Sequence, residues 1–395
     1  MGIFFSSFNG LEVYPKLRFK NASGQAYTEW KKNKLVNFLS PRVEKQTPTK
    51  DAPLMAFTAE NGVTDKGERY DRSFLVKSDD KLYKRTEFND FIYSSNNLDV
   101  GSIGLNKFGT AVISDVYEIF KVNDKAMPDF VSELIQRPYT LSRILRYRQG
   151  CLYGQYKIYA DDFLSVDVFA PSLDEQRKIN NFLTAIDARI EKQRQLVEAL
   201  KKYKRGLLSA IFERKLEFSS STWHSVALSE CCNGFDNLRK PISSELREKG
   251  TIPYYGANGI QDYVKNYIFD GEYILLAEDG GHFDDFTNSS IAQYITGKSW
   301  VNNHAHILQA KPGYNNKYIY YTLVHKDIRK YINGTSRAKL NQEDMWQIKI
   351  ITPDISTQNK IARFMTAIDE KISQEEYNLF QFYKIKRGLL QQMFI

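Results

Sequence analysis

Two long stretches of the chain repeat apolar residues at alternating steps of four and three positions. They begin at Pro171 and Pro353, no proline follows within either stretch, and Asp174 or Ser356 can cap the first turn. This spacing continues for roughly five heptads, which is typical of a long helix that buries a narrow seam against another helix. The predicted helix-pairing seam consists of Ile179, Leu183, Ile186, Ile190, Val197 and Leu200 in the first stretch, and of Ile361, Met365, Ile368, Ile372, Leu379 and Phe382 in the second.

The two stretches are copies of each other. The first contains "FLTAIDARI" from Phe182 and the second contains "FMTAIDEKI" from Phe364, and the ungapped match continues to "KRGLL" at Lys204 and Lys386. A match of this length at one constant spacing indicates an internal duplication.

Polar residues interrupt both copies at the same two places. Gln193 corresponds to Glu375, and Lys204 corresponds to Lys386. Shared polar interruptions in an apolar seam predict control of the register between paired helices, or a point where another protein joins. Two separate amphipathic helices, each lying on its own domain, are the alternative. Pairing is favoured because the narrow seam is too long to be buried by one small domain.

The order of the segments determines how the helices would pair. The first helix enters the second globular segment and the second helix leaves it, so paired helices must run antiparallel. About 40 residues at roughly 1.5 Å each give a predicted length of about 60 Å. This length exceeds one turn of DNA, which is about 34 Å.

Short β-like runs separated by Gly, Asn and Asp turns fill the other two segments, which open alike with Trp30 before Leu35 and Trp223 before Leu228. The pattern predicts an α+β fold with a pseudo-two-fold internal repeat. In this fold, two similar domains are separated by two long antiparallel coiled-coil helices. The predicted domains are residues 1–170, the helix 171–213, residues 214–352 and the helix 353–395.

Composition narrows the class of protein. A net charge of +8 and an aromatic content of 14% suit a nucleic-acid surface, although a lysine-rich, AT-biased genome would give the same composition. The three cysteines cannot form a disulfide framework and a signal-peptide pattern is absent, so a cytoplasmic protein is expected. No apolar run of about 18 residues occurs, so no membrane span is predicted.

Each globular segment carries a basic and aromatic stretch, "RPYTLSRILRYRQG" in the first and "RKYINGTSRAKLN" in the second. Arg and Lys can reach phosphates or guanine edges, and Asn can read adenine. A solvated helix face is the alternative for each residue. The predicted DNA contacts in these stretches are Arg143, Arg146, Tyr147, Arg148, Arg329, Lys330, Arg337 and Lys339.

The sequence offers two weak indications of an active site. "AQYITGKS" satisfies a relaxed phosphate-loop pattern, but bulky residues occupy positions where glycine-like torsions are needed, and a strand-like run follows. His304 and His306 would share one strand face, as metal ligands can, yet the spacing of His282, Cys231 and Cys232 is irregular. Packed, hydrogen-bonded histidines are the commoner explanation. No catalytic, cofactor-binding or metal-binding residue is therefore predicted.

The chain resembles the specificity (S) subunit of type I restriction–modification systems. The resemblance rests on the two "P…Q.KI..F.TAID..I" helices, and extends to "PKLRF" at Pro15, "YYGANGIQDYV" at Tyr254, "NNHAHIL" at Asn302 and "KLNQEDM" at Lys339. The resemblance transfers no base-contacting residue, but loop Tyr and Asn side chains can read base edges, so Tyr254, Tyr255 and Asn258 of "YYGANGIQDYV" are also predicted DNA contacts.

The resemblance implies a non-catalytic subunit of a type I restriction endonuclease and adenine methyltransferase complex. Its two target-recognition domains would each read half of an interrupted site in double-stranded DNA, and the helices would set the gap between the halves. The implied partners are two methyltransferase (M) subunits that bring S-adenosylmethionine, and restriction (R) subunits that use ATP and Mg²⁺. Two rival interpretations are a free-standing DNA-binding regulator, and an enzyme built around the histidines and Glu278 of the second segment.

Overall fold

The computed structural model describes residues 15–65, 81–96, 98, 102–152, 155–216, 218, 222–334 and 338–394. The chain forms two compact units: unit 1 comprises Met1–Lys192 and Leu379–Ile395, and unit 2 comprises Gln193–Asn378. Each unit holds one predicted globular segment and half of each long helix, so the units differ from the four predicted domains. Within the described ranges, no helix combines the length and the hydrophobicity that a membrane span requires.

Unit 1 is built mainly from short strands. Its strands up to the first helix are β1 (Lys31–Lys34), β2 (Leu39–Pro41), β3 (Lys45–Gln46), β4 (Ala56–Thr58), β5 (Gly62–Thr64), β6 (Tyr83–Thr86), β7 (Phe91–Ser94), β8 (Ile103–Leu105), β9 (Ala111–Ile113) and β10 (Tyr117–Val122). There follow α1 (Pro128–Gln136), α2 (Pro138–Ile144), β11 (Gln149–Leu152), β12 (Gln155–Lys157), α3 (Ala160–Leu164), β13 (Asp167–Ala170) and α4 (Leu173–Phe212). The larger sheets are antiparallel, with strand orders β2-β10-β7-β8 and β3-β6-β9.

Unit 2 contains a larger sheet. Its elements are β14 (His224–Ala227), α5 (Leu228–Cys231), β15 (Cys232–Gly234), β16 (Lys249–Gly256), β17 (Gly259–Val264), β18 (Phe269–Ala277), β19 (Ala292–Val301), β20 (Ala305–Ala310), α6 (Asn316–Leu323), β21 (Ile332–Asn333), β22 (Lys339–Leu340), α7 (Gln342–Trp346), β23 (Lys349–Thr352) and α8 (Ile355–Met393). Six strands are ordered β15-β20-β18-β19-β16-β17, and only the β16–β19 pair among them is parallel. The "AQYITGKS" segment lies in β19, so the structure confirms that it is no phosphate loop.

The two globular segments share one plan. In each, the strand that opens the segment pairs antiparallel with the strand that precedes the long helix, β1 with β13 and β14 with β23. Leu35 and Leu228, which follow the opening tryptophans, are both fully buried. These features confirm the predicted α+β fold with two similar domains and two long helices.

The long helices begin earlier than the predicted caps require. α4 begins at Leu173 and α8 at Ile355. Asp174 and Ser356 therefore lie inside the first turn, and their predicted capping role is wrong because a cap precedes the first helical residue. In α8 the cap is Asp354, whose Oδ1 accepts a hydrogen bond from the Thr357 N–H at 3.0 Å.

The end of α8 completes the core of unit 1. The ring of Phe394 lies 6.3 Å from that of Trp30 and 5.4 Å from that of Phe130, between centroids. Leu390 and Met393 are buried in the same cluster. The core of unit 2 is built in the corresponding way, because it includes apolar residues from the end of α4 and the start of α8.

Candidate nucleic-acid interface and helix-pairing seam

The structure places all twelve predicted seam residues in buried or half-buried positions. Because the apolar stripe follows the heptad spacing, one narrow face of each helix turns inward. Seven are buried, namely Ile179, Leu183, Ile190, Val197, Ile361, Met365 and Ile372, and five are half-buried, namely Ile186, Leu200, Ile368, Leu379 and Phe382.

The first polar interruption of the seam is a buried hydrogen-bonded pair in unit 2. The amide Nε2 of Gln193 donates to the carboxylate of Glu375 at 2.6 Å and to its backbone carbonyl at 3.1 Å. Only 4% of Gln193 and 7% of Glu375 are exposed. Hydrogen bonds from Lys371, and then from Gln193 and Asn378, lower the pKa of Glu375 to about 2.

The second interruption forms an ion pair between α4 and α8 in each unit. Lys204 lies 2.5 Å from Asp369 in unit 2, and Lys386 lies 2.6 Å from Asp187 in unit 1. In unit 2 the contact partner moves from Glu375 for Gln193 to Asp369 for Lys204, and in unit 1 it moves from Lys386 for Asp187 to Phe382 for Arg189. In both units the partner number is lower at the later α4 residue, so the helix halves within each unit run antiparallel. The polar interruptions therefore fix helix pairing in this structure, which was the first of the two predicted uses.

The glutamine in the shared "P…Q.KI" pattern is Gln176 in the first helix and Gln358 in the second, and neither residue had a predicted role. Each attaches a long helix to the globular segment of its own unit. Gln176 accepts from the Met127 N–H at 3.2 Å and donates to the carbonyl of Pro171 at 3.1 Å. Gln358 makes the same two bonds, from the Asn315 N–H at 2.9 Å and to the carbonyl of Pro353 at 3.0 Å. Their identical spacing in both copies was the available signal.

The basic stretch of unit 1 separates into a structural residue and an exposed group. Arg143 donates to the Tyr139 hydroxyl at 2.6 Å and lies 3.8 Å from Asp167, so packing accounts for it. Arg146, Tyr147 and Arg148 are exposed and follow directly after α2. Phosphate or base contacts from this stretch would therefore come from these three residues.

The basic stretch of unit 2 is partly neutralised by its own acidic residues. The guanidinium of Arg329 makes two hydrogen bonds to Asp327, at 3.0 and 2.8 Å, which lower the pKa of Asp327 to about 2. Lys339 lies 3.1 Å from Glu278. Lys330 is exposed, with its Nζ 4.8 Å from the centre of the Tyr331 ring. The predicted contact Arg337 lies outside the described residues.

The three residues of the "YYGANGIQDYV" motif occupy different environments. Tyr254 is only 1% exposed, its hydroxyl accepts from the Ile242 N–H at 3.1 Å, and Arg247 lies over its ring. The prediction that Tyr254 contacts DNA is therefore at odds with its position in the core. Burial also covers part of Tyr255 and raises its pKa. Asn258 is exposed in the turn between β16 and β17.

Asn258 borders a cleft of about 410 Å³ in unit 2. Gln261 and His304 also line the cleft, and neither was among the predicted contacts. Asn258 donates to the carbonyl of Gly280 at 2.8 Å, and the Gln261 side-chain oxygen accepts from Asn302 at 3.1 Å. The signal for Gln261 was its place three residues after Asn258 in a hairpin marked by the Asn-Gly turn.

His306 belongs to a buried polar network in unit 2. Its Nδ1 lies 2.6 Å from Asp236, and its Nε2 lies 2.9 Å from the carbonyl of Leu340. Burial alone would raise the pKa of Asp236, but the hydrogen bond and charge of His306, the Ile307 N–H and Arg239 together lower it.

The same network contains a group that could hold a metal ion, formed by Asp236, Glu278 and His306. Arg239 and Lys339 both form ion pairs with Glu278, and both ring nitrogens of His306 already have protein partners. Two cations and a fully bonded imidazole suit a structural network better than a cation site. His304 pairs with a different carboxylate, so the two histidines do not converge as a ligand pair.

Two kinds of comparison relate this chain to known sequences. Residues 220–379 match the family model described as "Type I restriction modification DNA specificity domain". The chain is 42% identical over 156 residues to a protein of Haemophilus influenzae named as a type I restriction enzyme specificity subunit, covering 40% of this chain and 39% of that one. It is 25% identical over 242 residues to a protein of Mycoplasma genitalium named as a type I specificity subunit, covering 57% of this chain and 61% of that one. These alignments thus span less than two thirds of each relative.

Solved structures share the fold across nearly the whole chain. The crystal structure of a type I restriction–modification S subunit from M. genitalium gives a TM-score of 0.60 at 20% identity, covering 97% of this chain and 99% of that one. A chain from a structure described as the basis of "complex assembly" and "conformational transition" of the type I R-M system gives 0.53 at 13% identity, covering 93% and 98%. Residues 220–379 are thus similar in sequence to the DNA specificity domain of type I restriction–modification systems, and the whole chain shares the fold of solved S subunits.

Proposed function

We propose that the chain is the DNA sequence-specificity subunit of a type I restriction–modification complex and is not catalytic by itself. Each globular segment reads one half of an interrupted site in double-stranded DNA. The proposal rests on the repeated plan of the chain. Two globular segments with different surfaces are each attached to one of two matched helices, and an equivalent glutamine, Gln176 or Gln358, makes each attachment. A reader of two half-sites needs common attachment and different reading surfaces.

Exposed cationic and amide side chains make the contacts with DNA. In unit 1, Arg146 and Arg148 approach phosphates and Tyr147 contacts bases or sugars. In unit 2, Lys330 approaches phosphates, and the cleft beside Asn258 faces base edges. Backbone contacts of this kind fix position, whereas amide contacts to base edges carry sequence information.

The long helices provide docking surfaces for the partner subunits. Several large apolar side chains remain exposed on them, and exposed apolar side chains mark interaction sites when they form a patch. They are Leu196, Tyr203 and Tyr377 in unit 2, and Phe380, Tyr383 and Ile385 in unit 1. We assign these surfaces to two methyltransferase subunits. Those subunits bring S-adenosylmethionine, and restriction subunits bring the ATP and Mg²⁺ chemistry.

The proposal is tested with the chain co-expressed with the methyltransferase subunit of its host. Methylated sites mapped in the host genome give the target duplex, and fluorescence anisotropy measures its binding to the purified complex. Arg146→Ala and Lys330→Ala should each weaken binding to all sequences and reduce the salt slope by about 1 for each lost phosphate contact. Tyr254→Phe is the control, because this buried side chain should leave DNA affinity unchanged.

Two outcomes would favour the rival interpretations. A lone chain that binds its duplex tightly and does not co-purify with the methyltransferase subunit would be a free-standing regulator. Stoichiometric metal in the purified chain, together with DNA cleavage in the absence of partners, would indicate an enzyme.

A further inference from the structure

Four polar contacts between described residues of α4 and α8 have a specific relation to the internal repeat. Each contact lies within one unit, and each residue has an equivalent in the other copy of the helix. The pairs are Asp187–Lys386 in unit 1, and Gln193–Glu375, Lys201–Glu376 and Lys204–Asp369 in unit 2, at 2.6, 2.6, 2.8 and 2.5 Å respectively.

Two of these pairs would survive if like helices from two copies of the chain paired instead. Asp187 is the equivalent of Asp369, and Lys204 is the equivalent of Lys386. In an antiparallel pair of two α4 helices, or of two α8 helices, an aspartate would still face a lysine. These ion pairs therefore stabilise correct and incorrect pairing alike.

The pair at Gln193 and Glu375 would not survive, because these residues are each other's equivalents. Two α4 helices would place Gln193 against a second Gln193, and two amides can hydrogen bond to each other. Two α8 helices would place Glu375 against a second Glu375 in a buried position. Neither carboxylate could donate to the other, and like charges at a buried contact repel strongly.

The ion pair between Lys201 and Glu376 also disfavours the pairing of like helices, but more weakly. The equivalent of Glu376 is Arg194, so two α4 helices would bring Lys201 opposite an arginine. The side chains of Lys201 and Glu376 are 39% and 47% exposed, and solvent screening limits the energy of such pairs. The buried pair is therefore the stronger discriminator.

We propose that the Gln193–Glu375 pair selects the pairing of α4 with α8 over the pairing of like helices from two copies of this chain. A dimer that joined α4 to α4 and kept all seams buried would join α8 to α8 as well, and the second contact carries the two facing carboxylates. One buried, asymmetric pair thus keeps a duplicated helix from associating with its own kind. The inference concerns assembly and does not depend on DNA recognition.

Single substitutions reproduce the unwanted contacts inside the intact chain. Gln193→Glu places two glutamates together, and Glu375→Gln places two glutamines together. The double variant Q193E/E375Q restores a contact between one glutamine and one glutamate, with their positions exchanged. Arg189 lies four residues before position 193, as Lys371 lies four residues before Glu375, so a cation is near the glutamate in either arrangement. Urea unfolding of each full-length variant at pH 7 measures the effect.

Q193E should lower the ratio of folded to unfolded protein roughly 5- to 30-fold. E375Q should have a much smaller effect, and the double variant should recover most of the loss seen in Q193E. Gln374→Glu is the matched control, because it adds the same charge to the exposed face of α8, where solvent screening should keep its loss of stability far below that of Q193E.

Equal losses in Q193E and E375Q would overturn the proposal, as would a double variant no more stable than Q193E. If Q193E does not fold, the double variant decides. A folded double variant supports selection by this pair, and an unfolded one refutes it.

Discussion

His306 and Asp236 show how a chemically suggestive residue can be structural. A backbone carbonyl only accepts hydrogen bonds, so the His306 nitrogen facing Leu340 carries a proton. The other ring nitrogen faces a carboxylate, and that side chain also accepts from the Ile307 N–H at 2.9 Å. This buried pair joins β20 to the turn after β15.

The Asp236–His306 pair gives a prediction for stability and its pH dependence. Asp236→Asn should cost on the order of 3 kcal/mol at pH 7, because it leaves a buried histidine without its carboxylate. The folded pKa of Asp236 is lowered, so its contribution is present above its unfolded pKa of about 4 and is lost as the pH falls through the folded pKa. Urea unfolding between pH 3 and about 7 checks both effects.

Glu248→Gln is the control for Asp236→Asn. Glu248 pairs with Lys265 at 3.1 Å, but both side chains are about two thirds exposed, so its loss should cost less than about 1 kcal/mol. If the two variants lose equal stability, the buried network is not the cause.

At single positions, the sequence predicted residue chemistry better than residue environment. It favoured hydrogen-bonded histidines, but Asp236 lies 70 residues before His306, and only the sheet brings them together. Tyr254 fitted a recognition motif, yet the strand turns its ring inward. Which face of β16 is buried depends on β19 and β17, and sequence spacing within the strand does not determine it.

Among the elements, the attachment of each long helix is the best-repeated detail. Gln176 and Gln358 are each only 2% exposed, and both bond to a backbone N–H just before or at the start of a shorter helix. The seam could be predicted because the spacing of apolar residues within one helix is visible in the sequence. The glutamine attachments could not be predicted, because their hydrogen-bond partners lie in a different part of the fold.

The glutamine attachments give a prediction at this scale. Gln176→Ala and Gln358→Ala should each cost about 1–3 kcal/mol, since each removes a buried side chain and leaves a partly buried backbone N–H without its hydrogen bond. The costs should be similar and additive, because the two sites lie in separate units. Urea unfolding of both single variants and the double variant measures this, and a strongly non-additive double variant would contradict the independence of the two sites.

For the molecule as a whole, the proposed function gives the matched helices a measuring role. One heptad added to both helices lengthens them by roughly 10 Å, which corresponds to about three base pairs. The complex should then methylate sites whose half-sites keep their sequence but are separated by about three more base pairs. Sequencing of methylated sites in a host carrying the variant checks this.

A heptad added to α4 alone is the control, because it places the polar pairs out of register with α8. That variant should lose stability and gain no new spacing. Unchanged spacing in the matched variant would show that the helices do not set the gap.

The internal duplication was evident from the sequence, but the residues that belong to each compact unit were not. Unit 1 takes residues from both ends of the sequence, because Leu390, Met393 and Phe394 fill a core whose other members come from residues 30–183. During synthesis on the ribosome, that core stays incomplete until residues 390–394 emerge. Unit 2 is one continuous piece of chain and can close first, although it is translated later. We therefore expect the globular segment of unit 1, although it is translated first, to finish folding after that of unit 2.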